Sequence, residues 1–261
     1  MGRCFCIFFL ILLWTSSAIA EENTSGRISG AWIPRKIGPI SGGVISVFNI
    51  NSGSPPLREK SRRVPDALVM TNDEGKFTLE LPEGTYYISM MKKFAGDAAP
   101  GPPQDGDLHG LSRDEKGKPI KYTVKSGLTT DVGILRQASV FKSPVIEITD
   151  GMTAITGMLK ASDGSPLAGA VVQVYLNQDV QGKPIYVSQK SGEDGKYIVL
   201  VEEEGTYFVT IRSGYGGGRP QSGDTLGIYG GEVAQPVTVK IRNVTKGIDI
   251  TVGQFIDKRP E

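Results

Sequence analysis

One block of sequence occurs twice in this chain, and that repeat sets the scale on which the protein can fold. Asp73-Glu74-Gly75-Lys76-Phe77, followed by Glu83-Gly84-Thr85-Tyr86-Tyr87-Ile88, returns as Glu193-Asp194-Gly195-Lys196-Tyr197, followed by Glu204-Gly205-Thr206-Tyr207-Phe208-Val209. Upstream, Ile28-Ser29-Gly30 answers Ile155-Thr156-Gly157, and Gly43-Val44-Ile45-Ser46-Val47-Phe48 answers Ala170-Val171-Val172-Gln173-Val174-Tyr175. Downstream, Pro103-Gln104-Asp105-Gly106-Asp107 answers Pro220-Gln221-Ser222-Gly223-Asp224. Matched blocks in the same order over about a hundred residues mean a duplicated unit. The two copies span 25–136 and 153–254, and residues 137–152 read as the linker between them.

Within each copy, apolar and polar residues alternate over short runs, as at Phe77, Leu79, Leu81 and at Val237, Val239, Ile241. Period two places alternate side chains on one face of a strand, and no stretch keeps helical spacing for three turns. In the second copy the expected strands are 153–160, 169–176, 184–190, 196–201, 205–212, 235–241 and 246–253, punctuated by Gly, Pro, Asn and Asp. Seven short strands predict an all-β chain of two tandem Greek-key β-sandwiches. Asp194-Gly195 suits a hairpin turn that needs positive φ.

The first 20 residues stand apart. Arg3 precedes an apolar core from Cys4 to Trp14, and Ala18-Ile19-Ala20 fits the small-residue cleavage pattern of a secretory signal peptide. That core is too short for a spanning helix, which needs about 20 residues, so no membrane span is expected in the mature chain. Removing the leader removes Cys4 and Cys6 together with Arg3, leaving 28 basic and 28 acidic side chains. A balanced charge argues against nucleic acid, whose binding rests on a concentrated basic face. The densest basic run, Arg58 to Arg63, lies between prolines and reads as a solvated loop. The sequons at Asn23 and Asn243 do not assign a compartment.

Gly-x-Val-x-Val after a turn, then Thr/Ser-x-Asp-x-Gly-x-Phe/Tyr, then Glu-Gly-x-Tyr, resembles the carboxypeptidase regulatory-like domain. The resemblance implies a prealbumin-like (transthyretin-like) sandwich in both copies, and an accessory module of secreted or cell-envelope proteins. Its matching residues are turn glycines and core alternators, so they carry no catalytic role. The zinc site of a carboxypeptidase needs two His and a Glu, and His109 is the only His of the chain.

A single His and no mature Cys leave oxygen chemistry as the main possibility. The carboxylates gather in turns such as Asn72-Asp73-Glu74 and Glu202-Glu203-Glu204, and Asp105-Gly106-Asp107 lacks the spaced loop in which alternate residues reach one calcium ion. No catalytic residue, metal ligand or cofactor is therefore assigned. The least generic segments are the connections Lys93 to Lys118 and Ser213 to Ala234, expected to be long loops. In the second of these, Tyr215, Arg219, Asp224 and Tyr229 are the candidate binding residues, with aromatic faces and polar groups set in flexible glycines. His109, in the first, reads as a solvated loop residue. The functional expectation is a non-enzymatic exported adhesion, assembly or structural module of the cell envelope, periplasm, cell surface or extracellular space. Its partner would be a protein or a polysaccharide, and the alternative function is carbohydrate binding through the loop aromatics. Mass spectrometry of the exported protein should find Glu21 as its first residue; a retained 1–20 segment would mean an uncleaved anchor.

Overall fold

The computed structural model describes residues 25–57, 62–94, 101–215, 222 and 224–254. The leader read at 1–20 and the sequon at Asn23 lie outside them. Among the described residues the chain is all-β apart from one short 3-10 turn at Ile50–Ser52, and no helix is long and apolar enough to cross a membrane.

The first half contains β1 (Ser25–Trp32), β2 (Val44–Asn49), β3 (Ala67–Met70), β4 (Lys76–Pro82), β5 (Gly84–Lys92), β6 (Leu108–Leu111), β7 (Tyr122–Val124), β8 (Thr129–Leu135) and β9 (Ser139–Val140). One sheet runs β4-β1-β8. The other runs β3-β2-β5-β6-β9, with β7 also paired to β5. The second half contains β10 (Ala154–Lys160), β11 (Val171–Tyr175), β12 (Tyr186–Lys190), β13 (Lys196–Leu200), β14 (Gly205–Arg212), β15 (Thr225–Ile228), β16 (Val237–Val239), β17 (Val244–Thr245), β18 (Ile250–Thr251) and β19 (Gly253–Gln254). Its sheets repeat the same order: β13-β10 with β17 and β18, and β12-β11-β14-β15-β19 with β16 on β14. In both halves the first strand pairs with the last long one in parallel, β1 with β8 and β10 with β17 and β18, while the remaining pairs are antiparallel.

Each pair of sheets closes its own apolar cluster. The first is built on Ile28, Trp32, Ile45, Phe77, Ile88 and Met90, the second on Ile155, Leu159, Val172, Val174, Val209 and Ile211. Fully burying an aliphatic side chain of this size contributes roughly 1.5 to 3 kcal/mol, so each cluster supplies the main drive to its own sandwich. The alternation read in the sequence is the inward face: Phe77 and Leu81 are buried, as are Val237 and Val239. Ile241 is not, because β16 ends at Val239 and the chain turns outward.

Two expectations need correction. The connections expected to be long loops each contain a strand, β6 and β15, that extends the larger sheet beyond β5 and β14 respectively. Beside β6, Ser139–Val140 forms β9, and Phe141 behind it is buried. The Asp-Gly turn is also not a hairpin. The strands on either side of Gly195, β12 and β13, belong to opposite sheets, and the turn is held by the end of β10, where Leu159 N–H donates to the Gly195 carbonyl at 2.8 Å. The repeated Glu-Gly-Thr-Tyr locks the next corner. The Tyr86 hydroxyl donates to the Pro82 carbonyl at 2.9 Å and the Tyr207 hydroxyl to the Glu203 carbonyl at 2.8 Å.

Gly195 has φ +73°, and a Cβ there would lie 2.5 Å from the Leu159 carbonyl oxygen, whereas Gly164, at φ +85°, has open space around it. Gly164→Ala should cost only the left-handed strain, about 1 to 2 kcal/mol. Gly195→Val adds the collision with backbone and should cost roughly 3 kcal/mol or more. Urea denaturation of both variants checks the difference; equal losses would mean that the corner does not press on β10.

Candidate functional site

The two sandwiches meet along the edge of their larger sheets. Residues 62–64, just ahead of edge strand β3, lie antiparallel on edge strand β12, with Arg63 opposite Tyr186. Val64 N–H donates to the Ile185 carbonyl and Val187 N–H to the Arg62 carbonyl, both at 3.1 Å. An unpaired sheet edge is a ready template for another segment, and here residues 62–64 of the first half cover part of the β12 edge of the second. Around this ladder, Lys183 Nζ reaches Asp66 Oδ1 at 2.7 Å and the Pro65 carbonyl at 3.2 Å. Ser54 N–H donates to Glu202 Oε2 at 2.8 Å, and Gln189 Nε2 donates to the Pro144 carbonyl at 3.0 Å.

Arg63 sits at the centre of the junction and is 8% exposed. A buried guanidinium is stable only when its donors are satisfied. Arg63 donates to the carbonyls of Gly53 at 2.9 Å, Ser54 at 2.5 Å and Asn49 at 3.0 Å, approaches Asp66 at 3.8 Å, and lies over the Phe48 ring at 5.6 Å. Arg62 is half-buried beside the Tyr215 phenol. Burial pulls its guanidinium below the ordinary value, and the Tyr215 oxygen opposes that shift. The solvated-loop reading of Arg58 to Arg63 therefore fails at its last two residues; positions 58–61 lie outside the described residues. Three residues of ladder leave no alternation to read, and the flanking Pro65 is the only mark of extended backbone there.

Of the four candidate binding residues, the three among the described residues face different surroundings. Tyr215 turns into the junction, where its hydroxyl donates to the Ser188 carbonyl at 3.1 Å. A Cβ on Gly101 of the first half would fall 2.6 Å from the Tyr215 Cβ, so the backbone there is pressed against the tyrosine. Burial pushes the Tyr215 phenol up and Arg62 draws it back. Tyr229 packs against the second core, half-buried. Asp224 is half-buried just ahead of β15, and Arg219 lies outside the described residues. Beside the junction is a cleft of about 280 Å³ lined by Arg62, Gln104, Ser143, Gln189, Lys190 and Tyr215.

The carboxylates of the first connection build turns. Asp107 is fully buried, and its two oxygens accept from Phe94 N–H at 3.0 Å and Gln104 N–H at 2.8 Å. Asp105 accepts from Ser143 N–H at 2.6 Å, and Ser143 holds its carboxyl below the usual value. Among the described residues no three His, Cys, Asp or Glu side chains are grouped to hold a metal. His109 is not a loop residue: it lies on β6, with its ring edge-on to Phe141 at 5.6 Å.

A second concavity, of about 690 Å³, lies in the first sandwich between the turn 34–37, the connection 112–122 and the β8–β9 crossing. The two copies differ at its wall. Ser112 N–H donates to the Ile88 carbonyl and Tyr229 N–H to the equivalent Val209 carbonyl, so the two residues occupy matched positions. The second sandwich fills that place with an aromatic ring. The first has a serine, whose hydroxyl is 2.7 Å from that of Tyr122.

Tyr186, opposite Arg63, is 4% exposed and burial pushes its phenol up to about 12 from the ordinary 10. Its neutral form is favoured by folding, so the contribution is complete below pH 10 and is lost as pH rises toward about 12. Over that window Tyr186→Phe should lose less stability than the parent, by about 1 kcal/mol per pH unit. Denaturant midpoints at stepped alkaline pH measure it; parallel profiles for the two chains would mean that the phenol is wet.

In comparisons with known proteins, no protein-family model matches the chain, and no curated protein matches it. Among solved structures it is similar to the Bacillus anthracis TIE protein, at 18% identity over 87% of this chain and 34% of that one, with a TM-score of 0.26. It is also similar to a streptococcal ancillary pilin, at 12% identity over 92% of this chain and 64% of that one, TM-score 0.25. The shaft pilin SpaA from Lactobacillus rhamnosus GG shows 12% identity over 89% of this chain and 98% of that one, TM-score 0.26. The chain thus spans less than two thirds of the length of the first two, and at these scores the likenesses carry no argument.

Proposed function

We propose that the chain is a non-enzymatic, exported module that acts by protein–protein contact in an assembly at the cell envelope or outside the cell. The observation that carries this is the junction: strand addition, a buried arginine and an ion pair fix two sandwiches edge to edge. A fixed pair presents surfaces of both halves in constant relation, which is what a structural contact needs and a flexible tether lacks. The inward placement of Tyr215 and Tyr229 favours a protein partner over a sugar, since stacking on a glycan needs open ring faces. The finer reading takes 25–136 and 153–254 as two carboxypeptidase regulatory-like domains, 137–152 as their linker and 1–20 as the export signal. It rests on the repeat and the family resemblance.

Photoreactive residues placed one at a time at exposed apolar positions such as Leu128, Val145 and Ile241 should give protein adducts in native exported material, identifiable by mass spectrometry. Absence of any protein adduct, together with saturable binding to purified envelope polysaccharide, would overturn the reading.

A further inference from the structure

We propose that the groove of the first sandwich receives an acidic, apolar face of the second sandwich of another copy of the same chain. This rests on the assembly reading above and names its partner.

The two copies act as each other's control. The corner glycine carbonyls pair with Trp32 N–H and Leu159 N–H, and the same two residues accept from Ile40 and Leu167 at the far side of the turn. The turn Pro34-Arg35-Lys36-Ile37 thus matches Ala161-Ser162-Asp163-Gly164. On the last long strand, Leu135 pairs with Trp32 and Ile250 with Leu159, so Ile134 matches Asp249 and Arg136 matches Thr251. The second copy makes this fold with Ser162, Asp163, Gly164, Asp249 and Thr251. Arg35, Lys36, Ile37, Ile134 and Arg136 are therefore not required by the backbone. They nevertheless gather at one groove, where Ile37 is 52% exposed, Ile134 49% and the neighbouring Val140 62%. The groove is lined by four cations, Arg35, Lys36, Arg113 and Arg136, against two anions, Asp114 and Glu115, and exposed apolar side chains within a net-basic rim are the composition of an interface. The groove borders β9, at the opposite edge of the larger sheet from β3, so the junction leaves it uncovered.

The complementary surface lies on the second sandwich. Leu176 and Val233 are each 64% exposed, the most open large apolar residues among the described residues of that half. The turns that carry them are tied together by Gln178 Nε2, which donates to the Ala234 carbonyl at 3.1 Å. Asp179 and Glu232, both exposed, flank the pair. The charge of the whole chain divides in the same sense. Residues 25–141 carry 16 basic and 12 acidic side chains, and residues 153–254 carry 9 and 10. An excess of four positive charges on one half against one negative charge on the other steers copies together head to tail. Such a contact leaves each copy with one groove and one acidic face unused, so it propagates instead of closing.

Sedimentation velocity on residues 21–261, up to about 1 mM, where even weak association shows, should give a mass that grows with concentration beyond a dimer. Salt near 0.5 M, where the Debye length is only a few Å, should reduce it. Lys36→Asp with Ile134→Asp, which installs the second copy's residues in the groove, should weaken association at least about tenfold. Glu232→Lys with Val233→Lys should do the same from the other face, and Arg136→Thr supplies a milder groove change. Melting temperatures of all variants should stay near that of the parent, because every site is exposed. Mixed together, the groove and acidic-face variants retain one good surface each and should form a 1:1 dimer that grows no further. A parent chain that stays monomeric throughout, a face variant that associates normally, or a mixture that forms no dimer would each overturn the proposal. A monomer that still yields adducts to another protein would leave the assembly reading standing, whereas a monomer without protein adducts would remove both.

Discussion

Everything that distinguishes this molecule from two beads on a string depends on a charged side chain held out of water. Arg63 is surrounded by carbonyls of its own sandwich and flanked by a ladder to the other. Burying a guanidinium is unfavourable unless all its donors find acceptors. The carbonyls of Asn49, Gly53 and Ser54 supply those acceptors, and Asp66, three residues after Arg63, stands where Lys183 can reach it. The partly buried Arg62 and Tyr215 extend the contact toward the second half. A weaker connection, such as a bare linker, would let the halves rotate freely and average out any composite surface.

The duplication turns the chain into its own comparison. Where both halves carry the same residue, the structure gives a backbone reason: Gly75 and Gly195 for the corner against the first strand, Tyr86 and Tyr207 for the hydroxyl that closes the next corner. Where the halves differ, the backbone is indifferent and the side chains shape the surface. Tyr229 and Val237 of the second half stand where the first has Ser112 and Tyr122, so the ring at this seam is carried by a different strand in each copy.

The sandwich architecture was legible because turn glycines and period-two alternation are local signals, as at Phe77 and Leu81. Strands β6 and β15 were not, because each is four residues with a glycine inside, Leu108-His109-Gly110-Leu111 and Thr225-Leu226-Gly227-Ile228. Those glycines are there for close approach. A Cβ at Gly110 would meet the Gln137 carbonyl at 2.5 Å, and one at Gly227 would meet Ile250 at 2.9 Å. Period counting takes such a residue as a break. The junction escaped for a related reason, since its meaning lies in a contact between positions more than a hundred residues apart. Tyrosines among glycines suggested exposure, yet Tyr215 and Tyr229 each had a protein surface within reach.

The parallel pairing of β1 with β8, and of β10 with β17 and β18, has a mechanical consequence. Parallel neighbours begin at the same end, so the start of one and the finish of the other point in opposite directions along the sandwich. A pull between those two points acts along the strands, across slanted hydrogen bonds that fall in two groups in each half. The bonds are loaded together in shear, not opened one after another like a zip, and they part only when the whole register slips. With this arrangement in both halves, each sandwich pulled by its first and last strands would meet the load in shear and not by peeling.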